Sequence, residues 1–102
     1  MKSKKKQEIY ETIFSSTQVI TNDEICEATG SDPTYVRRVI NELRSEGYPI
    51  CSTKEGYYYS EKIEDITATI RFLTNRVSTQ LEAIDGLKMI SLSRLIKQEG
   101  NK

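Results

Sequence analysis

The sequence predicts a mainly α chain with one small β-hairpin, in which a compact N-terminal domain is followed by a long C-terminal helix. Three observations carry that expectation. Apolar residues recur at three- and four-residue spacing in three short N-terminal stretches separated by Gly- and Pro-marked turns. Two brief apolar-aromatic stretches, "YPICS" and "GYYYS", flank "TKE" directly after the third of these. From Ile63 onward the apolar residues fall into a seven-residue rhythm.

In "KKKQEIYETIFSS", Ile9, Ile13 and Phe14, with Tyr10, share one stripe, which predicts a helix over about residues 4–15. "TQVIT" is β-branched but too brief for more than one small strand. In "TNDEICEATG", Thr21 or Asn22 suits the N-cap, Asp23 and Glu24 the first turn, and Gly30 the left-handed C-terminal position. Ile25, Cys26 and Ala28 are expected to face inward. "SDPTYVRRVINELRSEG" opens the third helix, with Ser31 or Asp32 as cap, Pro33 at the first helical position and Gly47 at the close. Val36, Val39, Ile40 and Leu43 form its buried face, so Arg37, Arg38, Asn41 and Arg44 point away from the core. The short "TGSD" between the second and third helices is the Gly-containing turn of a helix-turn-helix. Tyr57 and Tyr59 then share one face of the last strand, with Tyr58 on the other. Helix, short strand, helix, turn, helix and hairpin make a winged helix-turn-helix over residues 1–60.

The stretch "YVRRVINELRSEGYPICSTKEGYYY" resembles the small winged-helix domain at the N-terminus of biotin-ligase repressors and related bacterial and phage regulators. The shared pattern is a recognition helix ending in Leu43-Arg44 and Gly47, an apolar strand with Ile50, a short turn, and Gly56-Tyr57 opening the second strand. The resemblance covers about residues 4–60. The resemblance implies DNA binding, and the small chain resembles a regulator of phage or mobile-element type. No ligase domain follows, because the 42 residues after position 60 are too few to hold one.

Residues 61–102 are a different kind of object. Ser60 caps them, and Glu61, Glu64 and Asp65 fill the first turns. Ile63, Ile70, Val77 and Ile84 fall at heptad position a, and Ile66, Leu73, Gln80 and Leu87 at d, the pattern of a coiled-coil seam. Residues 61–85 alone would span about 37 Å at 1.5 Å per residue, longer than the small domain they would otherwise cover. Homo-oligomerisation through residues 61–98 is therefore expected, as a dimer or tetramer, although isoleucine at both a and d also leaves a trimer open, with the polar Gln80 setting register or oligomer number. Asp85-Gly86 is expected to end or kink the helix, leaving "LKMISLSRLIKQ" as a second, shorter amphipathic piece.

The composition narrows the function. Lys and Arg number 15, Asp and Glu 15, and there is no histidine, so neither His-based acid–base catalysis nor a His-containing zinc site is available. Residues 1–60 carry eight Lys/Arg against nine Asp/Glu, so any affinity for DNA must come from local clustering. Cys26 and Cys51 sit among apolar neighbours and read as small buried residues; two cysteines alone do not close a zinc site. No cofactor or metal is expected. No apolar run approaches the ~18 residues needed to span a bilayer, and "MKSKKK" leads into "QEIYETIF", which is not a signal peptide. A soluble, cytoplasmic chain is expected. No nucleophile–base pair, phosphate loop or metal cluster argues for an enzyme.

The candidate site is the exposed face of the third helix. Arg37 and Arg38 suit base-edge or phosphate contact from a helix in the major groove, with Thr34 and Tyr35 near its N-terminus and Asn41 one turn on. The same residues also suit an ordinary solvated face. Lys54 at the hairpin turn can touch a phosphate, although Glu55 beside it cancels much of its charge. The run Lys2, Lys4, Lys5 and Lys6 can lay charges along the phosphate backbone or remain a solvated tail. Arg44 is expected to be structural, pairing with a nearby carboxylate, and the tyrosines to be strand core instead of base-stacking platforms. The expected partner is double-stranded DNA. The alternative is a protein–protein interaction module that uses the winged helix to bind a host or assembly partner, which neutral charge, Asp32 and Glu55 favour.

Overall fold

A computed structural model of the chain describes residues 3–100, and the side chains of residues 3–96. The elements are α1 (Lys4–Ser15), α2 (Asn22–Thr29), α3 (Pro33–Ser45), β1 (Ile50–Thr53), β2 (Gly56–Tyr59) and α4 (Ile63–Gly100), so the chain is mainly α with one hairpin, as expected. It divides into two compact units, one reaching Ile70 and one beginning at Arg71. The division falls ten residues beyond Ser60 because the first two turns of α4 pack into the N-terminal unit.

Local chemistry sets each boundary in that unit. Ser3 accepts a hydrogen bond from the Lys6 amide at the start of α1. Thr21 caps α2 in a reciprocal box: its hydroxyl accepts from the Glu24 amide and the Glu24 carboxylate accepts from the Thr21 amide, both at 3.1 Å. Asp32 caps α3, accepting from the Thr34 amide at 3.1 Å, and Pro33 follows where no amide hydrogen is needed. Gly30 ends α2 in the left-handed region at φ 65°, and Gly47 turns the chain out of α3 at φ 97°.

The core is Ile9 and Ile13 of α1, Ile25 of α2, Val36, Val39, Ile40 and Leu43 of α3, and Ile50 of β1, none more than 2% exposed. The inward face of α2 differs from expectation. Thr29 is buried, with its hydroxyl donating to the Ile25 carbonyl oxygen at 2.8 Å, whereas Ala28 is exposed. At about 100° per residue, Thr29 lies almost above Ile25 and on the Cys26 side, while Ala28 falls on the opposite side. Phe14 is also less buried than its stripe suggests, at 54% exposure. It joins a ring cluster over the core, 4.8 Å from Tyr59, with Tyr10 5.0 Å from Tyr48. The Tyr59 hydroxyl donates to Glu61 Oε1 at 3.0 Å, and that bond, with burial second, pushes its pKa up to about 12.

β1 and β2 pair antiparallel, with Ile50 opposite Tyr59 and Thr53 opposite Gly56, leaving Lys54-Glu55 as a two-residue turn. "TQVIT" contributes a single bridge, in which Ile20 and Tyr57 exchange two backbone hydrogen bonds of 2.8 Å. Gly56 makes this bridge possible. Its φ is 152°, and a Cβ there would stand 2.4 Å from the Ile20 carbonyl oxygen.

α4 departs from expectation in one respect: it runs from Ile63 to Gly100 without ending at Asp85-Gly86. Gly86 keeps helical dihedrals, and the only positive-φ glycines among the described residues are Gly30, Gly47 and Gly56. A glycine inside a helix costs only about 1 kcal/mol relative to alanine, and strong helix formers flank it on both sides, so nothing forces a stop. The expected second helical piece is therefore a continuation of α4. Before the helix, the Ser60 hydroxyl accepts from the Lys62 amide at 3.2 Å and donates to Asp65 Oδ2 at 2.6 Å. Thr69 is buried and its hydroxyl accepts from the Ser52 amide at 3.2 Å, fixing the second turn of α4 to β1.

Replacing Gly56 with alanine must displace Ile20 or distort the hairpin, at a cost of about 2–3 kcal/mol. Circular-dichroism melting of Gly56→Ala should show a midpoint lowered by roughly 10–20 °C; an unchanged midpoint would refute the close approach.

Candidate nucleic-acid interface

The burial of Val36, Val39, Ile40 and Leu43 turns Thr34, Arg37, Arg38, Asn41 and Ser45 outward together. With Glu42 and Glu46 they line a shallow, open concavity along α3. Arg37 Nη2 donates to Thr34 Oγ1 at 3.4 Å, and Arg37 forms no ion pair among the described residues. The Arg38 guanidinium carbon lies 5.1 Å from the Tyr35 ring centroid, and its Nε is 4.0 Å from Glu42 Oε1. Tyr35 is half-buried against the core, so its ring supports Arg38 and presents less free surface than the sequence suggested.

Glu42 of this helix and its C-cap Glu46 share one lysine of α1. Lys6 Nζ is 2.5 Å from Glu46 Oε1 and 3.4 Å from Glu42 Oε2. Its pKa is raised, chiefly by the hydrogen bond to Glu46; desolvation opposes this and Glu42 adds to it. Asp32 is likewise occupied, capping α3. Asp32 keeps its charge, and with Asp23 it acts on the same region as Arg37: both carboxylates add to the burial that raises the Cys26 pKa, while Arg37 lowers it.

The N-terminal lysines separate in space. Lys5 Nζ donates to the Thr29 carbonyl oxygen at 2.5 Å, at the negative end of α2, and lies 3.3 Å from Glu8. Lys5 and Lys6 thus have intramolecular partners, whereas Lys4 is exposed. Lys2 lies outside the described residues. Lys54 is exposed at the hairpin turn beside Glu55. The Lys6 clamp was not legible in the sequence, because its partners are 36 and 40 positions away and no local periodicity links them.

Arg44 is structural, but not through a carboxylate. Its Nε donates to the Ile50 carbonyl oxygen at 2.8 Å and Nη2 to Ser52 Oγ at 3.0 Å, with the guanidinium 5.8 Å from the Tyr57 ring centroid. It ties α3 to the hairpin. Cys51 is buried as expected. Cys26 is half-buried, its thiol donating to Asn22 Oδ1 at 3.2 Å and its pKa raised mainly by burial. Among the described residues no group of His, Cys, Asp and Glu is placed to hold a metal.

Of the expected seam residues in the N-terminal unit, Ile63 and Ile70 are exposed and Ile66 is half-buried. In the unit from Arg71, Val77, Gln80, Ile84 and Leu87 are exposed and Leu73 is half-buried. Leu81, which the heptad assignment passed over, is 54% exposed. No described helix is long and apolar enough to cross a membrane.

No family model, curated protein or solved structure matches the chain. The functional reading therefore rests on the residues and their geometry.

Truncating Arg44 removes two hydrogen bonds between α3 and β1 and leaves the Ile50 carbonyl without its side-chain donor. Arg44→Ala should lower unfolding free energy by about 1–3 kcal/mol in urea titration. Arg44→Lys should recover only part of this, because one ammonium cannot reproduce the fork. Equal stability of Arg44→Lys and the unsubstituted chain would contradict the assignment.

Proposed function

We propose that this chain is a sequence-specific double-stranded-DNA-binding transcriptional regulator that oligomerises through α4. In this reading α2, the turn at Gly30 and α3 form a helix-turn-helix of the biotin-ligase-repressor type, and the hairpin is its wing. The observation that carries it is the pair Arg37 and Arg38 on the solvent face of a helix whose opposite face is fully buried, with the carboxylates further along that helix held by Lys6. Thr34 and the two arginines would meet base edges in the major groove, with Asn41 one turn on. A well-placed bidentate arginine–guanine pair discriminates by about 1–3 kcal/mol. Lys4 and Lys54 would add phosphate contacts, and Lys5 and Lys6 less, since both are engaged within the fold. Two copies would read two half-sites of a symmetric operator. This reading carries with it a regulator of phage or mobile-element type acting in the cytoplasm.

A second reading, a protein-binding module built on the same surface, is favoured by the zero net charge and by the capture of Lys5 and Lys6 inside the fold. Selection from random duplexes followed by sequencing, at low and moderate salt, separates the two. The regulator should enrich a two-fold symmetric motif. Arg37→Ala/Arg38→Ala should lose that motif and at least about tenfold in affinity, while its melting temperature stays within a few degrees. No enrichment, with the double variant indistinguishable from the unsubstituted chain, would refute DNA reading and favour a protein partner.

A further inference from the structure

We infer that Lys6, on α1, is a positioning residue for Arg38: by holding Glu42 it keeps the Arg38 guanidinium available to DNA in the concavity along α3. The inference rests on the DNA reading proposed above and gives Lys6 a part in it that needs no contact with DNA.

The sequence makes the two arginines of that surface unequal. On a helix, side chains three and four positions apart are neighbours. Arg37 is followed at those positions by Ile40 and Asn41, whereas Arg38 is followed by Asn41 and Glu42. Glu42 is therefore the carboxylate placed to capture Arg38.

In the structure that capture is only half made. Glu42 turns Oε1 toward Arg38 Nε, at 4.0 Å, and Oε2 toward Lys6 Nζ, at 3.4 Å. The first of these is longer than a hydrogen bond. The Arg38 guanidinium rests over the Tyr35 ring, its carbon 5.1 Å from the centroid. Lys6 is held a second time by Glu46 Oε1, at 2.5 Å. Its side chain is 14% exposed against 67% for Arg38, so water and salt screen its pairing less. The lysine thus wins the shared carboxylate.

Glu42 and Glu46 line the same concavity as Arg37, Arg38 and Asn41. Without the Lys6 ammonium the two carboxylates, one helical turn apart, repel each other. Among the described residues the cation then left beside Glu42 is Arg38. A guanidinium closed onto its own helix cannot offer the paired donors that read guanine. Glu46 lies eight residues beyond Arg38, about 12 Å along the axis, and does not compete for it. Asp23 and Asp32 act in the region of Arg37 and form no ion pair with Lys6 among the described residues.

Two readouts of the full-length chain test this. The first, without DNA, is the NMR signal of Arg38 Nε–H and its exchange with water. Lys6→Met should slow that exchange, and Lys6→Met/Glu42→Gln should return it to that of the unsubstituted chain. The second is fluorescence anisotropy with random-sequence duplexes at low salt. Lys6→Met should weaken binding by about three- to tenfold. Lys6→Met/Glu42→Gln should restore it, whereas Lys6→Met/Glu46→Gln, of the same net charge, should not. In an Arg38→Ala background Lys6→Met should have no further effect. Equal rescue by either glutamine overturns the inference, since bulk charge alone then accounts for Lys6. Rescue by neither also overturns it, as a direct phosphate contact or loss of stability predicts. Glu42→Gln alone should bind at least as tightly as the unsubstituted chain; weaker binding overturns the inference even where Lys6→Met fails to fold. A chain that binds no duplex overturns the DNA reading and this role of Lys6 with it, while an NMR response as expected leaves the competition for Glu42 standing.

Discussion

Burial of one face of α3 is the constraint from which the rest of the N-terminal unit follows. Val36, Val39, Ile40 and Leu43 meet Ile9 and Ile13 from one helix, Ile25 from another and Ile50 from the hairpin. Once those contacts are made, the helix has no rotational freedom, and the side chains between the buried positions must face water as a group. The alignment of Thr34, Arg37, Arg38 and Asn41 needs no separate cause. It is the complement of the hydrophobic stripe, and the same burial holds the Asp32 cap and the Arg44 tie to β1 in position.

The electrostatics of that outward face depend on a more distant element. The 13-residue helix carries three arginines and Glu42, with Glu46 as its C-cap, and the net field is modest if all are equally free. Lys6 breaks the symmetry by taking both glutamates, and Arg44 is withdrawn into the α3–hairpin junction. What remains toward solvent lies in the first two turns, where Arg37 forms no ion pair among the described residues and Arg38 is stacked on Tyr35. α1 thus does more than fill the core: its first turn shapes the charge of a helix far away in sequence.

Much of this was legible from local pattern. The three short helices, their caps among the alternatives at Thr21 and Asp32, the core of α3 and the hairpin after Gly47 all follow from periodicity and turn chemistry acting over a few residues. The misreadings were of two kinds. Ala28 and the supposed break at Gly86 come from weighing a local signal against a helix that easily accommodates the residue. The partners of Lys5, Lys6 and Arg44 were invisible because side-chain hydrogen bonds to distant carbonyls and carboxylates leave no periodic trace. For the outward face, sequence pattern identified which residues are exposed, while only the assembled structure distinguished free cations from engaged ones.

The hairpin has a further property. In a two-stranded sheet both outer edges would ordinarily present open amides and carbonyls to any passing strand. Here several of the outward groups of the hairpin are taken. Tyr57 exchanges both of its backbone bonds with Ile20 on one side; on the other, the Ser52 amide goes to Thr69, the Ile50 amide to the Tyr48 carbonyl and the Ile50 carbonyl to Arg44. The loop before α2, the loop before β1, a side chain of α3 and the second turn of α4 seal the sheet from both sides. Contact between copies by strand addition is thereby disfavoured, and a chain rich in tyrosine and β-branched residues at its hairpin is protected from sheet-type aggregation by its own helices.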